Sequence, residues 1–336
     1  MTEDQKKVLE ELKANDQHPE RGEIKLVKDD FGNVFFQRIT TGHLEAWHNN
    51  GQLWGSFLIK EEMVDGLYQE WNNKGILVVR EVYKMGIRDG LHEEWYDNGQ
   101  VKSRINYKDG FPNGILEKWY PNGQLKALEN YKDGFPNGIF EKWYPNGQLK
   151  ARENYKEGYL FGLKEYWHKS GQVAFLSNYK GGKLDGLYES WYLNGQIARK
   201  TNYKDDEKDG RERGWHENGR PSYEGCYKNG KRDGEHKEWY QNGQLQFRMF
   251  FKEGVRNGIE EKWNKEGKLI SRKNYKDNKL DGLQEEINVD GTVTQRVYGE
   301  GVLKSEKIVD HFINEKTIGS KKKITLNPKK KGGVKL

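Results

Sequence analysis

The sequence predicts an all-β protein, an elongated single-layer twisted antiparallel sheet of stacked 24-residue β-hairpins with short N-terminal and C-terminal helices. Three observations carry this. Ten of the eleven tryptophans stand 24 residues apart, at Trp47, Trp71, Trp95, Trp119, Trp143, Trp167, Trp191, Trp215, Trp239 and Trp263. A fixed period means one supersecondary unit copied along the chain. Glycine follows the same period, in rows that run from Gly42 to Gly282 and from Gly51 to Gly291 with a partial row from Gly86, and these rows hold 29 of the 40 glycines. Finally, the apolar fraction is only 33% and the mean hydropathy -1.10, yet aromatics reach 13% in strict register. Low hydropathy alone leans towards disorder; periodic aromatics argue for a folded array.

From the N-terminus, Thr2 and Gln5 stand at capping-box spacing before Val8, Leu9 and Leu12, so residues 1–21 read as an amphipathic helix. Residues 22–41 read as degenerate capping strands through Leu26, Val27, Val34, Phe35 and Phe36, since end repeats of arrays are atypical. Residues 42–301 form the array, about 10–11 units. In one unit, Gly114–Tyr120 reads as a strand, Pro121–Gly123 as a turn, Gln124–Lys132 as the returning strand and Asp133–Gly138 as the turn into the next copy. The Asn before the second glycine row is turn chemistry that tolerates positive backbone angles. Strict alternation sets Trp119 on one face and, with Leu125 and Tyr131 on the return, puts the tryptophan, leucine and tyrosine rows on the same side. At about 10 Å per two-strand unit, ten units approach 100 Å before twist.

Beyond the array, Ile308, Val309, Phe312 and Ile313 stand at helical spacing and predict a cap helix over 302–318. Residues 319–336 read as a disordered Lys-rich tail. The net charge of +6 is concentrated here: residues 302–336 carry ten Lys and three acids, a local +7, which leaves 48 basic and 49 acidic residues in 1–301.

At 223–234 the chain reads Tyr-Glu-Gly-Cys-Tyr-Lys-Asn-Gly-Lys-Arg-Asp-Gly, which resembles the MORN repeat consensus, with Tyr227 where that consensus prefers Trp. Copies such as 106–126, from Asn-Tyr-Lys-Asp-Gly to Trp-Tyr-Pro-Asn-Gly-Gln-Leu-Lys, resemble the MORN variant repeat of bacterial toxin-antitoxin-associated antitoxin proteins and giant-virus MORN-repeat proteins. The resemblance covers about residues 42–298 and implies hairpin arrays that serve as interaction, oligomerisation or membrane-apposed modules.

No motif points to catalysis. His48, His168 and His216 each follow a ladder tryptophan, two or more units apart and on the order of 20 Å or more, far beyond a shared metal. The row Glu93, Glu117, Glu141, Glu165 and Glu189 reads as a polar row pairing with Lys and Arg, because neighbours about 10 Å apart on an open sheet offer no water-excluding pocket. A lysine row from Lys60 to Lys276 is largely cancelled by the acids that follow it, and reads as solvated. The expectations are therefore no catalytic residue, no cofactor and no metal. Candidate interaction residues are Lys321, Lys322, Lys323, Lys329, Lys330 and Lys331, with the tryptophan ladder as the structural repeat.

The reading that follows is a non-catalytic scaffold for an unidentified protein partner. One alternative is an electrostatic tether to nucleic acid or an anionic membrane through the tail. The other, from the resemblance, is an antitoxin-like protein that neutralises a toxin. No apolar run approaches the roughly 20 residues of a transmembrane helix, and the segment from Met1 to Asn15 is charged rather than signal-like. With Cys226 as the lone cysteine, an intracellular, most simply cytoplasmic, location is expected.

Overall fold

A computed structural model describes residues 2–16, 23–28, 34–40 and 42–310. Two units divide the chain, residues 1–219 and 220–336, and in each the described strands form antiparallel hairpins.

The first unit opens with the expected helix, Glu3–Ala14, whose capping box is complete: the Thr2 hydroxyl accepts from the Gln5 N–H, and the Gln5 side chain accepts from the Thr2 N–H at 2.8 Å. Val8, Leu9 and Leu12 pack on a small core of Ile24, Phe36 and Trp47. Strands Lys25–Lys28 and Val34–Thr40 pair antiparallel, and the second pairs in turn with His43–Trp47. Beneath the helix Arg38 donates to Asp16 at 2.6 Å and to Glu45 at 2.8 Å.

Several repeats have three strand segments rather than two, while in Met63–Trp71, Lys183–Trp191, Glu207–Trp215 and Val255–Trp263 the short segment runs on into the long strand. Gly114–Trp119 pairs with Leu125–Lys132, which turns through Asp109-type chemistry at Asp133 and Gly134 into a two-residue strand, Phe135–Pro136, before the next long strand Gly138–Trp143. Asp109 and Gly110 both have positive φ, 50° and 82°, as a type I′ hairpin turn demands. At the other end, Asn122 keeps a negative φ and only Gly123 is left-handed, at 80°. The Asn acts there through its side chain: Oδ1 accepts from the Gln124 N–H at 3.1 Å, and Nδ2 donates to the Pro145 carbonyl of the next repeat at 3.2 Å. The expectation that this Asn supplies a positive backbone angle is thereby corrected.

Two staples join successive repeats. At the tryptophan end, a tyrosine hydroxyl donates to the carbonyl of the next ladder tryptophan: Tyr96 to Trp119 and Tyr120 to Trp143 at 2.8 Å, Tyr144 to Trp167 at 2.9 Å. At the I′ end, the Gly110 N–H donates to the Arg88 carbonyl and that of Gly134 to the Pro112 carbonyl, both at 2.9 Å. Each hairpin thus satisfies polar groups that its neighbour leaves open, the nearest-neighbour coupling of a repeat array.

The second unit repeats the scheme from Pro221–Lys228 onwards, with Met249 and Val293 fully buried and Tyr240 donating to the Trp263 carbonyl at 3.0 Å. Its end departs from expectation. The C-terminal helix predicted over 302–318 is replaced, over its described part, by the strand Val302–Val309, paired with Val293–Gly299. Ile308 and Val309 are β-branched and fall opposite Thr294 and Val293, so the ladder supplies backbone partners that a short helix at this edge lacks. The remainder of that segment and the Lys-rich tail lie outside the described residues.

Candidate interaction surface

Register decides which residues share a face, because directly opposed residues point the same way. Gly114 lies opposite Tyr131, Leu116 opposite Glu129, Lys118 opposite Ala127 and Glu117 opposite Leu128, after which the register shifts between Lys118 and Trp119 so that Trp119 meets Leu125. A bulge at Lys126 therefore breaks the alternation on the return strand. Trp119 stays with Glu117, while Tyr131 lies on the opposite face. The expectation that tryptophan and tyrosine rows share one side is overturned, and the extra bulge residue is the reason.

The tyrosine face is the more buried. Tyr131, Phe140 and Tyr155 form a ring chain with centroids 5.4 and 4.6 Å apart, and Tyr166, Phe175, Tyr188 and Tyr203 form another. Carboxylates lie among the rings. Glu81 meets His92 Nδ1 at 2.6 Å and Arg88 at 2.9 Å and accepts from the Tyr83 hydroxyl. Burial pushes the Glu81 carboxyl up, but the bonds from His92, Tyr83 and Arg88 outweigh it and hold it at about 2. Burial, together with Glu129 and Glu153, pushes the Tyr131 and Tyr155 hydroxyls up to about 12. In the second unit the buried His236 takes the equivalent place, its Nδ1 2.6 Å from the Tyr223 hydroxyl and its Nε2 2.9 Å from the Cys226 carbonyl.

On the tryptophan face the glutamate row pairs with arginine and lysine. Glu93 accepts from Arg80 at 2.8 Å and from Arg104 at 2.9 Å, Glu141 and Glu165 share Arg152, and Glu189 accepts from Lys200 at 2.7 Å. Each arginine also lies over a ladder ring: Arg80 over Trp95 at 5.4 Å, and Arg104 over Trp119, Arg152 over Trp167 and Arg248 over Trp263 at 5.9 Å. Burial raises the Glu93 carboxyl, and its two arginines more than compensate, leaving it below the usual carboxylate range. Trp47 is buried and the other nine ladder tryptophans are half-buried, each closing its strand. His48 stands where a staple tyrosine would, its Nε2 3.0 Å from the Trp71 carbonyl.

One surface row escaped the sequence reading. Ile87, Phe111, Phe135 and Tyr159 follow the third-row glycines Gly86, Gly110, Gly134 and Gly158, in segments taken as turns. Phe111 lies opposite Lys108 and so faces outward on the tryptophan side. Ile87 is 52%, Phe111 60%, Phe135 63% and Tyr159 63% exposed. Each lies over the glycine of the next turn; a Cβ at Gly134 would stand 3.0 Å from Phe111, and one at Gly110 3.2 Å from Ile87. Beside Phe135, with Lys132, Asp133, Asn137, Lys156 and Glu157, runs an open groove of about 620 Å³. The periodic apolar residue after Gly86, Gly110, Gly134 and Gly158 was the available signal.

The lysine row is exposed throughout. Lys321, Lys322, Lys323, Lys329, Lys330 and Lys331 lie outside the described residues. Among the described residues no three His, Cys, Asp or Glu side chains converge as a metal site, and no helix is long and apolar enough to cross a membrane. The family model described as MORN repeat variant matches seven times, at 88–109, 112–133, 136–157, 184–205, 208–229, 232–253 and 256–277. No curated protein matches the chain.

Proposed function

We propose, from the premise that this chain is a MORN-repeat protein of the variant type, that it is a non-catalytic scaffold whose tryptophan face holds a protein partner. MORN repeats as a class are associated with scaffolds for protein or membrane interaction, which sets the frame and leaves the partner to the particular surface. The observation that supports a protein partner is the row Ile87, Phe111, Phe135 and Tyr159, exposed apolar side chains one per repeat and flanked by the charged lysine row. Contiguous exposed apolar side chains with a polar rim are the composition of protein interfaces. Phe111 and Phe135 each lie against the glycine of the next turn, Gly134 and Gly158, so a partner meets a row packed repeat on repeat. A single exposed thiol, Cys226, suits a reducing intracellular compartment.

The test is affinity capture from the native source with three baits: the full chain, a Phe111→Glu/Phe135→Glu/Tyr159→Glu variant, and a chain lacking residues 317–336. A protein retained by the full and shortened chains and lost from the triple variant supports the reading. Retention by the triple variant with loss from the shortened chain would move the function to the tail.

A further inference from the structure

We propose that a second copy of this chain pairs antiparallel with the outer edge of the terminal strand, Val302–Val309, centred on Ser305 and continuing the sheet across a two-fold axis.

This strand pairs on one side with Val293–Gly299, and among the described residues it has no partner on the other. Seven of its eight residues are exposed, including Val302 at 57%, Leu303 at 46% and Ile308 at 68%. An eight-residue edge with β-branched residues near both ends and no proline presents unpaired N–H and C=O groups as a template. The strand at the start of the described sheet contrasts with it: Lys25–Lys28 is four residues long, carries Lys at both ends, and follows a helix whose apolar side chains pack on the adjoining core.

The side chains select a copy of the same strand as the occupant. Pairing centred on Ser305 sets Lys304 opposite Glu306 of the other copy and Glu306 opposite its Lys304. The same register sets Val302 opposite Ile308 on both sides of the axis. Two opposite-charge pairs and two β-branched pairs are the cross-strand contacts that stabilise antiparallel sheets. Shifting the centre to lie between Ser305 and Glu306 puts Lys304 opposite Lys307, and centring on Glu306 opposes two carboxylates. An isologous contact of this kind closes after two chains. Glu306 already accepts from Arg296 at 2.9 Å, and a carboxylate has lone pairs to accept a lysine as well.

The experiment measures the mass of the full chain by light scattering on a sizing column. A species of twice 39.4 kDa is expected. Lys304→Glu alone and Glu306→Lys alone each create like-charge pairs and are expected to be monomers, with circular dichroism unchanged. An equimolar mixture of these two variants restores both opposite-charge pairs, so it is expected to form a mixed dimer. As a second probe, Ser305→Cys in a Cys226→Ser background is expected to give a disulfide-linked dimer under mild oxidation. A monomeric full chain at high micromolar concentration, as when residues 311–336 cover the edge, overturns the proposal. So does a dimer indifferent to both charge reversals, or a folded mixture that stays monomeric.

Discussion

The guanidinium of Arg104 lies over the ring of Trp119, 5.9 Å from its centroid, while its Nε donates to Glu93 at 2.9 Å. One arginine thus ties the carboxylate of one hairpin to the ring of the next. The arginine is 44% exposed and its glutamate 3%, so their removal should differ in cost. Arg104→Ala is expected to lose about 1 kcal/mol, because exposed ion pairs and cation–π contacts are each worth roughly 0.2–1 kcal/mol. Glu93→Gln takes the charged acceptor from Arg80 and leaves Arg104 with Glu117 at 3.9 Å, and is expected to lose about 2 kcal/mol. Urea unfolding followed by tryptophan fluorescence ranks the two; an equal loss would show that burial of the carboxylate is not what matters.

Glycines of the first and second rows carry different burdens. Gly90 has φ 131°, and a Cβ there would stand 2.9 Å from the Val82 Cβ; Gly99 has φ 80° with nothing within 4 Å. Gly90→Ala therefore combines backbone strain with a clash against a neighbouring strand and should cost about 2–3 kcal/mol. Gly99→Asn meets open space in a left-handed conformation that Asn tolerates, and should cost under about 1 kcal/mol. Thermal midpoints of the two variants decide the matter, and equal shifts would remove the steric distinction.

The repeat and the capping box were legible because each follows from local spacing. Face assignment was not, because it depends on parity across strands. Leu125 and Tyr131 are an even number of residues apart and read as sharing a face, but the bulge between them reverses that. The sequence held one clue. In the last repeat Tyr298 falls a residue short of the tyrosine row, and there Gly282 pairs with Tyr298 with no register shift at all. The missing residue is the bulge. The Phe-Pro segments were misread for another reason: Pro136 lacks an N–H yet pairs at a two-residue strand where few ladder bonds are required. Over the described part of the predicted C-terminal helix, Ile308 and Val309 suit an edge strand as well as a helix, and the adjacent ladder decided between them.

Tyrosine staples several repeats apart should behave as independent increments. Tyr120→Phe removes the hydroxyl that donates to the Trp143 carbonyl at 2.8 Å and keeps the ring, so about 1 kcal/mol is expected to be lost. Tyr192 makes the same bond to the Trp215 carbonyl at 2.7 Å, three repeats further on. With no shared partner, the double variant Tyr120→Phe/Tyr192→Phe should lose the sum of the two. Adjacent staples, Tyr120 and Tyr144, involve a common repeat, and their double variant should depart from additivity. Hydrogen exchange of the amides around each staple checks both statements. Uniform additivity in both pairs would mean that repeats unfold without coupling to their neighbours.

Glu81 gives the acid limb of stability a specific origin. Its carboxyl is held at about 2 against an ordinary 4.5, because His92, Tyr83 and Arg88 overcome the burial that would raise it. A folded value below the unfolded one means that the folded chain binds this proton less tightly. The stabilisation is then fully present above about pH 4.5 and lost as pH falls towards about 2. Glu81→Gln removes the charge at every pH, so it should be clearly destabilised at about pH 6 and approach the wild type at about pH 3. His92 ties the effect to geometry, since its Nδ1 stands 2.6 Å from the same carboxylate. His92→Gln should lift the Glu81 value and move the onset of acid unfolding upward. Urea midpoints across this pH range provide the measurement, and a gap between Glu81→Gln and wild type that persists undiminished at about pH 3 would assign the acid sensitivity to other carboxylates.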